Sequence, residues 1–326
     1  MELSWLTDSA RRLDSWIALG RMPHAIMLLG PPGVGKRCLA AWLGRRHLGK
    51  ASDGSGPVFP LEVPELADLR WLRPPEDKVA LGIEVVRELI GDLSLTSYDG
   101  RGKAAVIEPA DAMTASAANS LLKTLEEPSG NALLILVVDR VGRLPATVVS
   151  RCQRVEIAVP PVAQSLAWLN RVKPSDRWAT ALGLAGNAPV RALEMADCTD
   201  DAEALAKDFS ALARNEAQPL ATAARWMRLD SRFVLDWLCR QVELAILRSF
   251  GNAAGPDSVT ADFVLQRMDR RKLFCYLDII NRIRSQPEGS YNVQLTLESL
   301  LIDWADGLRD CRSTGDSGNL RLSFAR

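Results

Sequence analysis

The residues best suited to chemistry lie in "GPPGVGKR", Gly30 to Arg37. Gly30, Gly33 and Gly35 allow backbone N–H groups to turn inward at the start of a helix, whose dipole favours anions. Lys36 has the position and reach to contact the β- and γ-phosphates of a nucleotide. The G-x-x-x-x-G-K-[ST] pattern then asks for a hydroxyl that holds Mg²⁺, and this chain supplies Arg37. A guanidinium has no acceptor and stays charged, so Arg37 cannot ligate a cation. The second requirement of a nucleoside triphosphatase is an acidic pair after a buried strand. "KAAVIEPADAM" provides Glu108 followed by Pro109. Glu108 has a carboxylate that can support a metal through water, whereas Pro109 has no base. Asp111 stands two residues further on. Loss of a water-activating group lowers a rate by about 10²–10⁴. Arg37 and Pro109 together therefore predict no hydrolysis in cis, while binding of ATP or ADP without hydrolysis stays open.

These residues need a scaffold. "AIMLL" (Ala25–Leu29), "AAVI" (Ala104–Ile107), "ALLILVV" (Ala132–Val138) and "VEIAV" (Val155–Val159) are continuously apolar, the mark of strands buried on both faces of a parallel sheet. Helical patterns alternate with them. One runs from Lys36 to about His47. Another is "AANSLLKTLEEP", where Ala118, Leu121, Leu122 and Leu125 share a face and Pro128 ends the pattern. The expectation is an α/β domain, a parallel sheet with helices on both faces. "GKASDGSGPVFP", Gly49 to Pro60, is a loop by composition. Beyond Pro161 only helical patterns follow, among them "FVLDWLCRQVELAI" with Leu235, Leu238, Val242 and Ala245 in one stripe. The division expected is an α/β domain over 1–160, a small helical domain over 161–206, a helical bundle over 207–310 and a mobile tail over 311–326.

The chain has 326 residues, 47% of them hydrophobic, and 40 basic against 40 acidic side chains. That length suits two or three domains, and the charge balance by itself predicts no polyanion partner. Six scattered cysteines form no C-x-x-C pair, so neither a metal site nor a structural zinc is expected. With no signal peptide at the N-terminus and no apolar run near the roughly 20 residues of a membrane helix, a cytoplasmic protein without membrane contact is expected. "VVSRCQR" sets Arg151 between a helix and a strand; on its own it is an arginine that caps a helix C-terminus or pairs with an acid. Cys152 beside it, with no histidine nearby, suits a small buried packing residue.

"RMPHAIMLLGPPGVGK", "LGIEVVREL", "KAAVIEPADAMTASAANSLLKTLEEP" and "LPATVVSRCQ" resemble, in order and spacing, the bacterial clamp-loader subunits, which are AAA+ proteins. The matching motifs cover about Met22 to Arg154. The resemblance implies an AAA+ P-loop domain, a helical lid and a helical collar that joins a five-membered ring with the gamma/tau and delta subunits. Such a ring opens the sliding clamp and places it on primer-template DNA during replication by DNA polymerase III. Lys36-Arg37 and Glu108-Pro109 resemble the stator member of that ring, which lacks its own hydrolysis. In that family the arginine of Ser150-Arg151-Cys152 is a finger that completes a neighbour's ATP site. The resemblance also implies a Thr- or Asn-type sensor where this chain has Val138 and Asp139. A sensor arginine is implied near Arg191, which stands one position late, so no role is carried over. His24 matches a residue that lines the adenine pocket, and an ordinary loop histidine is an equal reading. The four-cysteine zinc module of many relatives is missing between Ala51 and Arg73, and no zinc is expected. Two alternatives stay open: an active gamma-like ATPase, and a scaffold that uses a degenerate AAA+ domain.

Overall fold

The computed structural model describes residues 1–51, 55–75, 80–250, 269–284, 286 and 291–309. The expected tail over 311–326, with Cys311, lies outside them. By internal contact the chain forms two compact units, Met1–Trp178 with Asn187–Glu194, and Ala179–Gly186 with Met195–Arg326. The finer separation into a lid and a collar remains a proposal.

The first unit is built on a parallel sheet of five strands: β1 (Ala25–Leu29), β2 (Leu69–Leu72), β3 (Lys103–Ile107), β4 (Ala132–Val138) and β5 (Gln153–Glu156), in the order β2-β3-β4-β1-β5. The three inner strands are the continuously apolar ones, and nearly all of their residues are buried. β2 carries no such signal. Its sequence, LRWL, mixes charge with apolar residues because only one side of an edge strand pairs. The last strand begins two residues before the expected Val155 and ends at Glu156. As the opposite edge it alternates, with Val155 and Ile157 buried and Arg154 and Glu156 exposed.

Register fixes the working edge of the sheet. Leu29 pairs with Val138, and Ile107 with Leu136. The residues after β1, β3 and β4 therefore emerge side by side at the carboxyl ends of the strands, where open α/β sheets bind ligands. In chain order, α1 is Thr7–Ala18, α2 Lys36–His47, α3 Ile83–Ser94, α4 Ala115–Ser120, α5 Leu122–Glu126, α6 Ala146–Val149, α7 Val162–Val172, α8 Trp178–Leu184 and α9 Pro189–Glu194. The single helix expected over "AANSLLKTLEEP" is thus two, α4 and α5. The Leu121 N–H donates three residues back, to Ala118 at 3.2 Å, which tightens the turn there. Thr114 caps α4 by accepting from the Ala117 N–H at 3.2 Å. Ala118, Leu121 and Leu125 are buried as the pattern predicts, and Leu122 is half-buried. The end of the expected Gly49–Pro60 loop lies against the N-terminus: the Leu3 N–H donates to Pro57 O at 2.9 Å and the Phe59 N–H to Met1 O at 2.8 Å, while residues 52–54 lie outside the described residues.

The second unit is helical, with no strand among its described residues. Its helices Thr199–Ala213, Pro219–Trp226, Ser231–Ser249, Arg270–Arg284 and Val293–Ala305 enclose one core, in which Phe209 stacks on Trp304 with ring centroids 4.1 Å apart. Leu235, Leu238, Val242 and Ala245 face into it, as their spacing requires.

Candidate functional site

The loop between β1 and α2 has the expected shape. Gly35 is the N-cap of α2 in the left-handed conformation (φ 92°), and Gly33 has φ 80°. The loop is covered from two directions within the first unit. The Trp5 indole N–H donates to Val34 O at 2.9 Å. On another side the Val190 N–H of α9 donates to Gly33 O at 3.0 Å. A Cβ on Gly33 would lie 2.3 Å from the Arg191 Cβ, so glycine is required there for the approach of α9 as well as for its φ.

Lys36 is 3% exposed. Its Nζ donates to the carbonyls of Gly30 and Pro31, each at 2.6 Å, and pairs with Asp139 Oδ1 at 2.7 Å. All three donors of the ammonium thus meet oxygen atoms of this chain. Burial pushes its pKa below the ordinary 10.5, while Asp139, Asp111 and Glu108 pull the other way. Asp111 sets the geometry behind that contact, since its Oδ1 accepts from the Asp139 backbone N–H at 3.1 Å. Asp139, the residue at the expected sensor position, is therefore an ion-pair partner of the loop lysine.

Arg37 faces Glu108, the carboxylate of the degenerate acidic pair. Its Nε pairs with Glu108 Oε1. The other oxygen, Oε2, accepts from the Trp71 indole N–H at 2.7 Å and from Nε and Nη2 of Arg73 at 3.2 Å each. Glu108 is 7% exposed. Two guanidinium groups and an indole therefore meet the carboxylate that would support a metal. Pro109, next in the chain, adds no donor. The arrangement does not fit a metal-bound nucleotide: Glu108 already has cationic partners, and the phosphate-reaching ammonium is turned onto Asp139 and loop carbonyls. Trp71 and Arg73 were not legible as site residues, because β2 itself was not.

Arg151 follows α6, as expected. Its Nε and Nη2 donate to Glu126 Oε1 at 2.9 and 2.6 Å, and its Nη1 donates to Thr147 O at 3.0 Å. Cys152 is buried in the core, and burial raises its thiol pKa to about 11, so it stays protonated. His24 Nε2 lies 2.7 Å from Leu125 O, a contact that ties the start of β1 to the end of α5.

The family described as "DNA polymerase III, delta subunit" matches residues 6–161 of this chain, the whole of the sheet and its loops. A Pseudomonas aeruginosa protein named DNA polymerase III subunit delta' is 28% identical over 312 residues, covering 89% of this chain and 95% of its own length. The chain is thus similar, over most of its length, to a delta' subunit of a bacterial DNA polymerase III. The Escherichia coli strain K12 delta' subunit is 31% identical over 199 residues, which cover 59% of this chain and 60% of that relative. A solved Thermotoga maritima structure, a gamma subunit-related protein of DNA polymerase III, is 20% identical with a TM-score of 0.48; it covers 92% of this chain and 99% of its own. The loop, Glu108 and Asp139 stand together at the carboxyl edge of the sheet, within the matched residues. No helix among the described residues is long and apolar enough to cross a membrane.

Proposed function

We propose that this chain is the delta-prime-type subunit of a DNA polymerase III clamp loader. In this reading it sits in a five-membered ring with gamma/tau and delta subunits and helps place the sliding clamp on primer-template DNA. It acts as a stator: it hydrolyses no ATP itself and offers Arg151 to the ATP site of a neighbour. The observation that carries the reading is the pairing of Arg37 with Glu108, together with that of Lys36 with Asp139. The two cations that would serve a bound nucleotide serve this chain's own carboxylates. An active site would need the reverse, a carboxylate facing a metal and an ammonium facing phosphate. The same pairs oppose the reading as a gamma-like ATPase. Arg151 at the protein surface, outside this chain's own phosphate loop, suits a group that acts on a neighbour. Such a guanidinium is worth about 10³–10⁵ in kcat in other phosphoryl-transfer systems.

Two measurements test this. Purified full-length chain should show no ATP turnover with or without primed DNA; turnover that persists through purification would overturn the stator reading. Mixed with the gamma/tau and delta subunits, the chain should co-elute as one complex; failure to assemble would favour a scaffold in some other assembly.

A further inference from the structure

Arg151 is held from the backbone outward. Val149, two residues before it, and Cys152, directly after it, are buried, and the Arg151 N–H donates to Val148 O at 3.1 Å. Glu126 is similarly anchored, as the last residue of α5 directly after the buried Leu125. The guanidinium has five N–H groups in a rigid plane. Glu126 takes its side edge, since Nε and Nη2 both donate to Oε1 at 2.9 and 2.6 Å. The Thr147 carbonyl takes a third N–H, on Nη1, at 3.0 Å. Two N–H groups remain, one on Nη1 and one on Nη2, and among the described residues neither has an acceptor. Those two N–H groups stay available to the oxygens of a phosphoryl group. The side chain is 36% exposed.

We infer that Glu126 is a positioning residue: it grips Arg151 by its side edge while the Thr147 carbonyl holds Nη1, and the remaining donors are presented to a nucleotide held by the neighbouring subunit. This rests on the reading of Arg151 as a finger. A half-exposed ion pair adds little to fold stability. What this one does is fix a long, flexible side chain before it meets the phosphate, so that no ordering is left for the transition state. Glu126 need not be charged for this. It needs one acceptor oxygen in the right place, which separates a grip from a charge that merely competes with phosphate.

The test uses the reconstituted complex of full-length chains, with kcat and KM for ATP measured separately. Arg151→Ala should lower kcat by about 10³-fold. Glu126→Ala should lower kcat by about ten- to a hundred-fold, the cost of a misplaced group, with KM changed by less than about twofold. Glu126→Gln keeps the acceptor oxygen and should restore most of the rate. The double variant Glu126→Ala/Arg151→Ala should match Arg151→Ala alone. An unchanged or raised kcat in Glu126→Ala, beside a lowered one in Arg151→Ala, overturns the positioning role and leaves the finger standing. An unchanged kcat in Arg151→Ala overturns the finger and the positioning role with it. If Glu126→Ala impairs assembly, the isolated full-length chain still decides: the Arg151 Nε–H NMR signal should be slow to exchange in the unaltered protein and in Glu126→Gln, and fast in Glu126→Ala. Fast exchange in the unaltered protein overturns the inference.

Discussion

If Glu108 depends on its two guanidinium partners, removing them should destabilise the protein more than additively. Arg37 contacts Oε1, while Trp71 and Arg73 contact Oε2. Arg37→Met keeps the apolar stem and removes the only contact on Oε1 among the described residues. A hydrogen bond to a charged group is worth about 1.5–3 kcal/mol. Arg37 is 47% exposed, so water reaches the vacated place and the expected loss is reduced to about 1–2 kcal/mol. Arg73→Met leaves Trp71 on the same oxygen and should cost about 0.5–1 kcal/mol. The double variant leaves a carboxylate that is 7% exposed with the neutral Trp71 indole but neither guanidinium, and should cost about 3–5 kcal/mol. Glu108→Gln in the double background removes the charge left without a cation and should recover much of that loss. Urea denaturation of the full-length chain, followed by far-ultraviolet circular dichroism, measures all four. A double variant within about 1 kcal/mol of the unaltered protein would show that Glu108 is solvated and that the paired-carboxylate argument is wrong.

Three further outcomes follow from the same geometry. Gly33→Ala forces a Cβ to 2.3 Å from the Arg191 Cβ at a positive φ and should cost about 2–3 kcal/mol in unfolding; Gly20→Ala (φ 62°), with nothing within 4 Å, should cost only about 1 kcal/mol, and equal losses would deny the contact with α9. Asp68 accepts from the Tyr98 N–H, at 2.9 Å to each oxygen, and from the Asp99 N–H at 3.2 Å; the Tyr98 bond leads in holding its pKa below the ordinary 3.8. A lowered folded-state pKa gives stability that is complete above 3.8 and lost as pH falls through the folded value, so Asp68→Asn should flatten the acid limb of a stability–pH curve, and an unaltered limb would count against the anchor. Cys38 and Cys152, each with a thiol pKa raised to about 11 by burial, should resist a thiol reagent at about pH 8 in the native protein and react once unfolded; fast native labelling mapped to either would refute their burial.

Much of the sheet's carboxyl edge was legible as a line of residues. The continuous apolarity of β1, β3 and β4 follows from burial on both faces, so it appears in the sequence without any knowledge of neighbours. The edge strands carry less signal: LRWL in β2 has no apolar run, and β5 starts two residues before its apolar stretch, because one-sided pairing imposes a weaker pattern. The loop from Gly30 to Arg37 was legible because its glycines and lysine act through local backbone geometry, and Arg151 because its motif is contiguous.

What local spacing could not supply was the identity of partners. Sequence alone determined that Arg37 cannot ligate a cation and that Pro109 is no base, since both follow from side-chain chemistry. Only the tertiary structure decided that Arg37 meets Glu108 and Lys36 meets Asp139. Those contacts exist because β1, β3 and β4 are neighbours with matched carboxyl ends. Trp71 and Arg73 join Glu108 because β2 pairs with β3. The grip of Glu126 on Arg151 depends likewise on how the ends of two short helices, far apart in the chain, come to lie together. Ion pairs form through space, and strand order, which no linear pattern encodes, sets which charges share that space.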